Sequence, residues 1–217
     1  MRQAFGGIDF GTSNSTVGVI RDGKARLVAL EGEQATLPSA IFFNFEDGHT
    51  YFGRRAIGDY TDSVEGRLMR SLKSVLGSSL VNEKTRIKAR LLGFTEIIGF
   101  FIGHLKKQLE QDAGGPVERV VLGRPVQFVD DDAQADAKAQ AELEKAARAQ
   151  GFKHIAFQFE PIAAALDYEQ NVSREELALI VDMGGGTSDF SVVRVSPERA
   201  RSVDRKDDIL ANHGVHV

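Results

Sequence analysis

The chain has 217 residues, no cysteine and a formal net charge of −4; it is long enough to bury roughly 70% of its unfolded surface unaided, and no disulfide framework, cysteine-based zinc site or thiol nucleophile is available to it. Acids and bases are interspersed, with no basic stripe to neutralise a phosphate backbone, which argues against nucleic acid as a main partner. The start, Met1-Arg2-Gln3-Ala4-Phe5-Gly6-Gly7, lacks the apolar core of a signal peptide, and the most apolar stretch, residues 94–105, contains Glu96 and falls short of the roughly 20 residues that span a bilayer, so the expectation is a soluble, cytoplasmic protein with no membrane partner.

Taken in order, residues 4–10, 16–21 and 24–30 read as strands, with Asp22-Gly23 as a turn. Pro38 opens a region of different texture: Ile41-Phe42-Phe43-Asn44-Phe45, an Asp47-Gly48 turn, and short helical pieces to about residue 76. Residues 86–92 alternate polar and apolar, as a half-buried strand does. From Thr95 a helix is predicted, because Phe94, Ile97, Ile98, Phe101, Leu105 and Leu109 recur at intervals of three and four; Gly114-Gly115-Pro116 ends it. Residues 117–123 read as a buried strand. Asp130, Asp131 and Asp132 then supply an acidic start to an Ala-rich helix of about 20 residues, closed by Gly151. Residues 155–159 read as a strand, 161–168 as a helix, and 177–181 as an apolar strand running into glycines. The alternation predicts an α/β sheet covered by helices, with residues of about 37–114 inserted as a lobe and a new unit beginning near residue 176.

The informative feature is an internal resemblance. Gly7-Ile8-Asp9-Phe10-Gly11-Thr12-Ser13-Asn14 is followed by Val17-Gly18-Val19-Ile20, and Ile180-Val181-Asp182-Met183-Gly184-Gly185-Gly186-Thr187-Ser188-Asp189 by Phe190-Ser191-Val192-Val193. Each reads apolar strand, Asp, one apolar residue, Gly, a small polar turn and a second strand. Glycines let a backbone approach a phosphate closely, and successive N–H groups in such a turn form an anion-binding concavity. Thr and Ser hydroxyls add donors at the same level. The Asp beside the turn repels a phosphate unless a cation lies between, and Mg²⁺ suits that place because it keeps its waters while meeting one or two carboxylates and phosphate oxygens. The bland alternative is two ordinary hairpins with Asp-Gly-type turns; two copies with Asp and Gly at the same offsets weigh against it.

These two segments resemble the phosphate motifs of actin-like ATPases, and in detail those of DnaK-type heat-shock chaperones. Three further stretches carry the resemblance over nearly the whole chain: Arg67-Leu68-Met69-Arg70-Ser71-Leu72-Lys73-Ser74-Val75-Leu76-Gly77, similar to the segment with the family's catalytic lysine; Val121-Leu122-Gly123-Arg124-Pro125-Val126-Gln127-Phe128; and Phe159-Glu160-Pro161-Ile162-Ala163-Ala164-Ala165-Leu166. The last two variants look closest to the YegD-like putative chaperones. The resemblance implies an actin-like, ribonuclease H-like fold with a first-lobe core at residues 1–36 and 115–175, an inserted subdomain at 37–114, and the opening strands of a second lobe at 176–217. It implies ATP/ADP and Mg²⁺ as cofactors, with Asp9 and Asp182 holding the hydrated metal. Gly11, Thr12, Ser13, Asn14, Gly184, Gly185, Gly186 and Thr187 then contact the phosphates, and Lys73, Glu160 and Thr187 serve catalysis. Client peptides and co-chaperones are implied as partners of the parent protein.

Other signals are set aside. Residues 18–25 nearly spell a phosphate-binding P-loop, but end in Ala and fall on a strand–turn–strand. His49, His104, His154, His213 and His216 show no zincin spacing, and the acidic run at residues 130–132 is explained by helix capping. The chain closes at Val217 without the family's adenosine-binding motif, so the expectation is an N-terminal fragment of an ATPase domain, weak or inactive alone, with apolar strand edges at residues 177–217 through which it dimerises or swaps. The competing readings are a non-catalytic nucleotide-responsive module and a sugar-kinase-like phosphotransferase.

Overall fold

A computed structural model describes residues 4–21, 23–185 and 187–216, without the side chains of Arg21, Thr187 and His216. In chain order the elements are β1 (Phe5–Phe10), β2 (Asn14–Arg21), β3 (Lys24–Leu27), β4 (Thr36–Pro38), β5 (Ala40–Asn44), β6 (Thr50–Phe52), α1 (Gly53–Thr61), β7 (Gly66–Arg70), α2 (Leu72–Leu76), β8 (Lys84–Ile87), β9 (Arg90–Gly93), α3 (Phe94–Ala113), β10 (Arg119–Arg124), α4 (Ala133–Ala149), β11 (His154–Phe159), α5 (Glu160–Glu169), β12 (Glu176–Met183), β13 (Thr187–Val195) and β14 (Ile209–His216). The chain is mixed α/β and divides into two compact units, one of residues 1–122 and 128–156, the other of residues 123–127 and 157–217.

In the first unit the main sheet runs β11-β10-β1-β2-β3, with β4 also paired to β2. β1 and β10 are parallel, which requires a crossover; β1 and β2 form an antiparallel hairpin. The crossover includes α3, whose apolar stripe buries Ile97, Ile98, Phe101, Ile102, Leu105 and Leu109 completely. Fully burying side chains of this size stabilises by roughly 1.5–3 kcal/mol each. The stripe sits directly on β1: the Phe10 and Phe101 rings lie 5.7 Å apart, and a Cβ on Gly6 would fall 2.4 Å from Leu109 Cδ2. Gly6 is therefore the place where helix and strand meet without a spacer. A second small sheet, β6-β5-β7, covered by α1, forms its own core of Ala40, Phe42 and Ala56.

In α4, Asp132 is the N-cap, its carboxylate accepting from the Gln134 and Ala135 N–H groups at 3.0 and 2.9 Å. That is the capping role expected of the acidic run.

Three expected elements differ from the structure. Residues 86–92 are a hairpin instead of one strand: β8 and β9 pair with Ile87 opposite Arg90, and Lys88 takes a φ of 51° to make the turn. A two-residue turn preserves the alternation of period two, so the pattern did not betray the break. Residues 24–30 are strand only to Leu27; Leu30 then bonds to the Gln34 carbonyl across a turn in which Gly32 has a φ of 58°. Residues 117–123 give an alternating strand, with Val120 and Leu122 buried but Val121 exposed. Among the other turns, Gly23 has a φ of 79°, whereas Asp22 lies outside the described residues.

In the second unit, α5 packs on the sheet β12-β13-β14. Ile162 and Ala165 from the helix meet Val193 and Val195, flanked by Ala178, Ile180 and Ile209. A buried ionic knot closes this core, in which Arg205 joins Glu169 at the end of α5 to Asp208. The other face of β12 carries Leu177, Leu179, Val181 and Met183, all exposed. The apolar exposure expected at strand edges is thus spread over a sheet face. Among the described residues no helix is long and apolar enough to cross a membrane.

Candidate functional site

The first hairpin is built by β1 and β2, with Asp9 opposite Thr16 and Phe10 opposite Ser15. Asp9 is exposed near the end of β1, while its neighbours Ile8 and Phe10 are locked into the core. The turn between the strands holds Gly11, Thr12 and Ser13, and Asn14 opens β2. At Gly11 a Cβ would stand 2.2 Å from the Asn14 carbonyl oxygen, so the turn closes on itself in a way only glycine permits. It is also tied from outside. Ser39 Oγ donates to the Gly11 carbonyl at 2.7 Å, and the Ser39 N–H donates to the Ser13 carbonyl at 2.8 Å. With its proton committed there, Ser39 Oγ accepts from Ser15 Oγ at 2.8 Å, and both serines are buried.

The second hairpin repeats this register. Asp182 lies opposite Asp189 and Met183 opposite Ser188, the same positions relative to the turn as Asp9–Thr16 and Phe10–Ser15. Each hairpin continues into a third antiparallel strand, β3 in one unit and β14 in the other. Asp182 is exposed, and Gly184 and Gly185 form the turn. Gly186 and the Thr187 side chain lie outside the described residues. The layers are not repeated in the same sense: α3 covers the face of β1 opposite Asp9, whereas α5 packs against Ala178 and Ile180, which share the face of Asp182.

Lys73 sits in α2, two residues after Ser71. Arg70 and Ser71 line a recess of about 40 Å³ together with Thr12 and Ser13, which brings this segment beside the first turn. Glu160 is the first residue of α5, with Pro161 following, so its carboxylate stands where a helix dipole favours negative charge. Just before it, the Arg124 guanidinium lies 5.2 Å from the centre of the Phe159 ring and donates to the Pro125 and Val126 carbonyls at 2.9 and 3.2 Å. Arg124 is therefore a strut for the loop 125–126.

The structure thus joins Asp9, Gly11, Thr12, Ser13 and Asn14 in one hairpin near the Lys73 segment, and Asp182, Gly184 and Gly185 in another hairpin of the unit that holds Glu160. Among the described residues no cluster of three or more His, Asp or Glu side chains forms a ready-made metal cage. Sequence reasoning missed the Ser15–Ser39 brace, for which Pro38, which pairs with Asn14, was the available signal.

A family model described as Hsp70 protein matches residues 5–199. The chain belongs to the Hsp70 family. It is 30% identical, over 90% of its length, to the chaperone protein HscA of Citrobacter koseri, and 28% identical, over 88%, to the HscA homolog of Actinobacillus pleuropneumoniae. Against the chaperone protein DnaK of Mycoplasmopsis agalactiae the identity is 29% over 88% of the chain. The chain spans about a third of the length of these relatives, between 30% and 33%. Its mixed α/β architecture is consistent with a fragment of an Hsp70 nucleotide-binding domain.

Proposed function

We propose that these residues are the N-terminal part of an ATP-binding and ATP-hydrolysing nucleotide-binding domain of an Hsp70-type chaperone, working in the cytoplasm. The observation that carries this reading is the shared register of the two hairpins, each presenting an exposed Asp beside a glycine turn, in a chain of the Hsp70 family. The reading carries with it an actin-like ATPase architecture, with a first-lobe core at 1–36 and 115–175, an inserted subdomain at 37–114 and the second lobe opening at 176–217, although α5 packs with the second compact unit, residues 123–127 and 157–217.

The residues present fit a phosphate chain with magnesium. Gly11 leaves no room for a side chain at the turn, the turn offers hydroxyls, and the carboxylates beside the turns, Asp9 in one hairpin and Asp182 with Asp189 opposite it in the other, are of the kind that meet a hydrated Mg²⁺ through its waters. When bound, that cation neutralises charge between the phosphates. In this reading Gly11, Thr12, Ser13 and Asn14 contact phosphate oxygens, as do Gly184, Gly185, Gly186 and Thr187. Lys73 sets positive charge against the terminal phosphoryl group, where removing one such contact typically costs on the order of 10²–10³ in rate. Glu160 orients the attacking water, and Thr187 assists at the same phosphoryl group. Client peptides and co-chaperones are partners of the whole chaperone.

Single-turnover hydrolysis by the whole protein, compared with its Lys73→Ala variant, tests the catalytic reading: a fall of about a hundredfold or more is expected, and equal rates sink it. The 217 residues alone are expected to bind ATP weakly; calorimetry returning micromolar affinity overturns that part.

A further inference from the structure

A groove lined by neither glycine turn lies in the first unit, with a volume of about 480 Å³; pockets of roughly 300–1,000 Å³ take small ligands. It runs along α3 and α4 and is bordered by residues 81–84. At the Thr95 end the Glu142 carboxylate is 21% exposed; its Oε2 accepts from Thr95 Oγ1 at 2.6 Å and lies 3.4 Å from Lys145 Nζ. Both contacts use Oε2, which leaves Oε1 to accept from a ligand. Thr95 holds the carboxylate in place, whereas Lys145 is 70% exposed and reaches as readily into solvent.

At the other end the Gln150 side chain lies against α3. A Cβ on Gly103 would fall 2.5 Å from its Oε1, and a Cβ on Gly99 3.0 Å from its Nε2. The three atoms nearest to the Gly103 position all belong to Gln150, so this glycine is there for the glutamine and not for helix contact in general. Glycine is the weakest helix former after proline, yet two of them sit inside the 20-residue α3. The amide they seat makes no hydrogen bond with the described residues. Pressed on bare backbone, it offers a donor and an acceptor in a fixed place, with little further freedom to lose when a ligand binds.

Glu142 and Gln150 are eight residues apart on one face of α4, a span of about 12 Å. Ala146 and Ala149 lie between them, with Phe100 of α3 in the same lining, so this stretch of the groove is largely small and apolar. An extended chain advances about 3.3 Å per residue and covers that span in about three or four residues. We propose that the groove binds the amino-terminal residues of an extended peptide. Its α-ammonium group meets Glu142, and a backbone amide about four residues along pairs with the Gln150 amide, N–H to Oε1 and carbonyl to Nε2. The nucleotide reading plays no part in this assignment.

The probe is tetraalanine amide, titrated into the full 217-residue chain while backbone amides are followed by NMR. Its N-acetylated form, which lacks the positive charge, is titrated beside it. Saturable shifts are expected at Thr95, Gly99, Glu142 and Gln150, with affinity about tenfold lower for the acetylated peptide. Glu142→Gln keeps the shape of the side chain and should abolish the preference for the free amine. Gln150→Ala should weaken both peptides alike, by about threefold or more. Absence of saturable shifts at these residues overturns the proposal, as does equal affinity of the unaltered chain for the two peptides. That comparison needs no variant, so it decides the matter even where a substitution unfolds the chain. With folded variants, a preference that survives Glu142→Gln, or binding untouched by Gln150→Ala, also overturns it.

Discussion

Arg205 grips Glu169 with both arms of its guanidinium, Nη1 to Oε2 at 2.9 Å and Nη2 to Oε1 at 2.8 Å, and both side chains are almost wholly buried. Arg205 also donates through Nε to Asp208 and through Nη2 to the Arg194 carbonyl, while Glu169 accepts from the Ser196 N–H. Burial alone would lower the guanidinium's pKa, but the hydrogen bonds and charges of Glu169 and Asp208 outweigh it and hold the group above its ordinary value. A planar, bidentate pair of this kind is specific to arginine. Breaking one side of such a pair strands a buried charge, so Arg205→Ala is expected to destabilise the second unit by about 3–5 kcal/mol. Arg205→Lys should recover only part of this. Denaturant unfolding followed by a probe in that unit measures both, and a loss below about 1 kcal/mol for the alanine variant contradicts the account.

The serine brace gives a second expectation. In Ser39→Ala the Gly11 carbonyl, in part-buried surroundings, loses its donor and the buried Ser15 hydroxyl loses its acceptor. Leaving buried polar groups unmatched costs about 1–3 kcal/mol. The double variant Ser15→Ala/Ser39→Ala should cost less than the sum of the singles, because it removes both members of the pair. Thermal melts of the three proteins decide it.

His104 lies face to face with Phe52, ring centres 4.3 Å apart and planes 12° from parallel. Burial, the largest cause, lowers its pKa; Glu31 opposes the shift and Lys107 adds to it. With the folded value below the ordinary one of about 6.5, the unfolded chain takes up the proton first. The contribution to stability is therefore full above that pH and is lost as pH falls through the folded value. His104→Gln should flatten this part of the profile. Unfolding midpoints compared at pH 7.5 and 5.5 test it, and an unchanged slope in the variant refutes the assignment.

The bare face of β12 is expected to tolerate charge. Leu179 is 64% exposed, so Leu179→Glu should alter stability by no more than about 0.5 kcal/mol, while reducing any self-association that this apolar surface drives. Light scattering across a concentration series, beside a melt, separates the two effects.

How much was legible in the sequence depends on whether the signal was local. The stripe at Ile97, Ile98, Phe101, Leu105 and Leu109 fixed α3, and the Asp132 cap fixed the start of α4, because helix periodicity and capping are written within a few residues. The turn at Lys88 was missed because a two-residue hairpin keeps the alternation running through it. The duplicated Asp-Gly segments were visible as strings, but only the pairing shows that they share a register. The Ser39 brace joins residues 24 and more positions apart, and the Arg205–Glu169 fork joins residues 36 apart. No pattern confined to a short window can announce either.

The mirrored layering of the two hairpins has a consequence for how the chain accepts change. Ile8 and Val181 stand at equivalent places in the repeat, as do Phe10 and Met183, yet Ile8 and Phe10 are each 2% exposed whereas Val181 and Met183 are 44% and 74% exposed. Phe5 and Ala178 are also equivalent, and there the first is exposed while the second packs beneath a helix. A polar residue that ruins one copy is thus harmless at the matching place in the other, and the tolerated positions alternate in opposite phase. Two segments alike as strings thus place their tolerant positions in opposite phase, and the residues they share at matching places include Asp9 with Asp182, Gly11 with Gly184, Ser15 with Ser188 and Val19 with Val192.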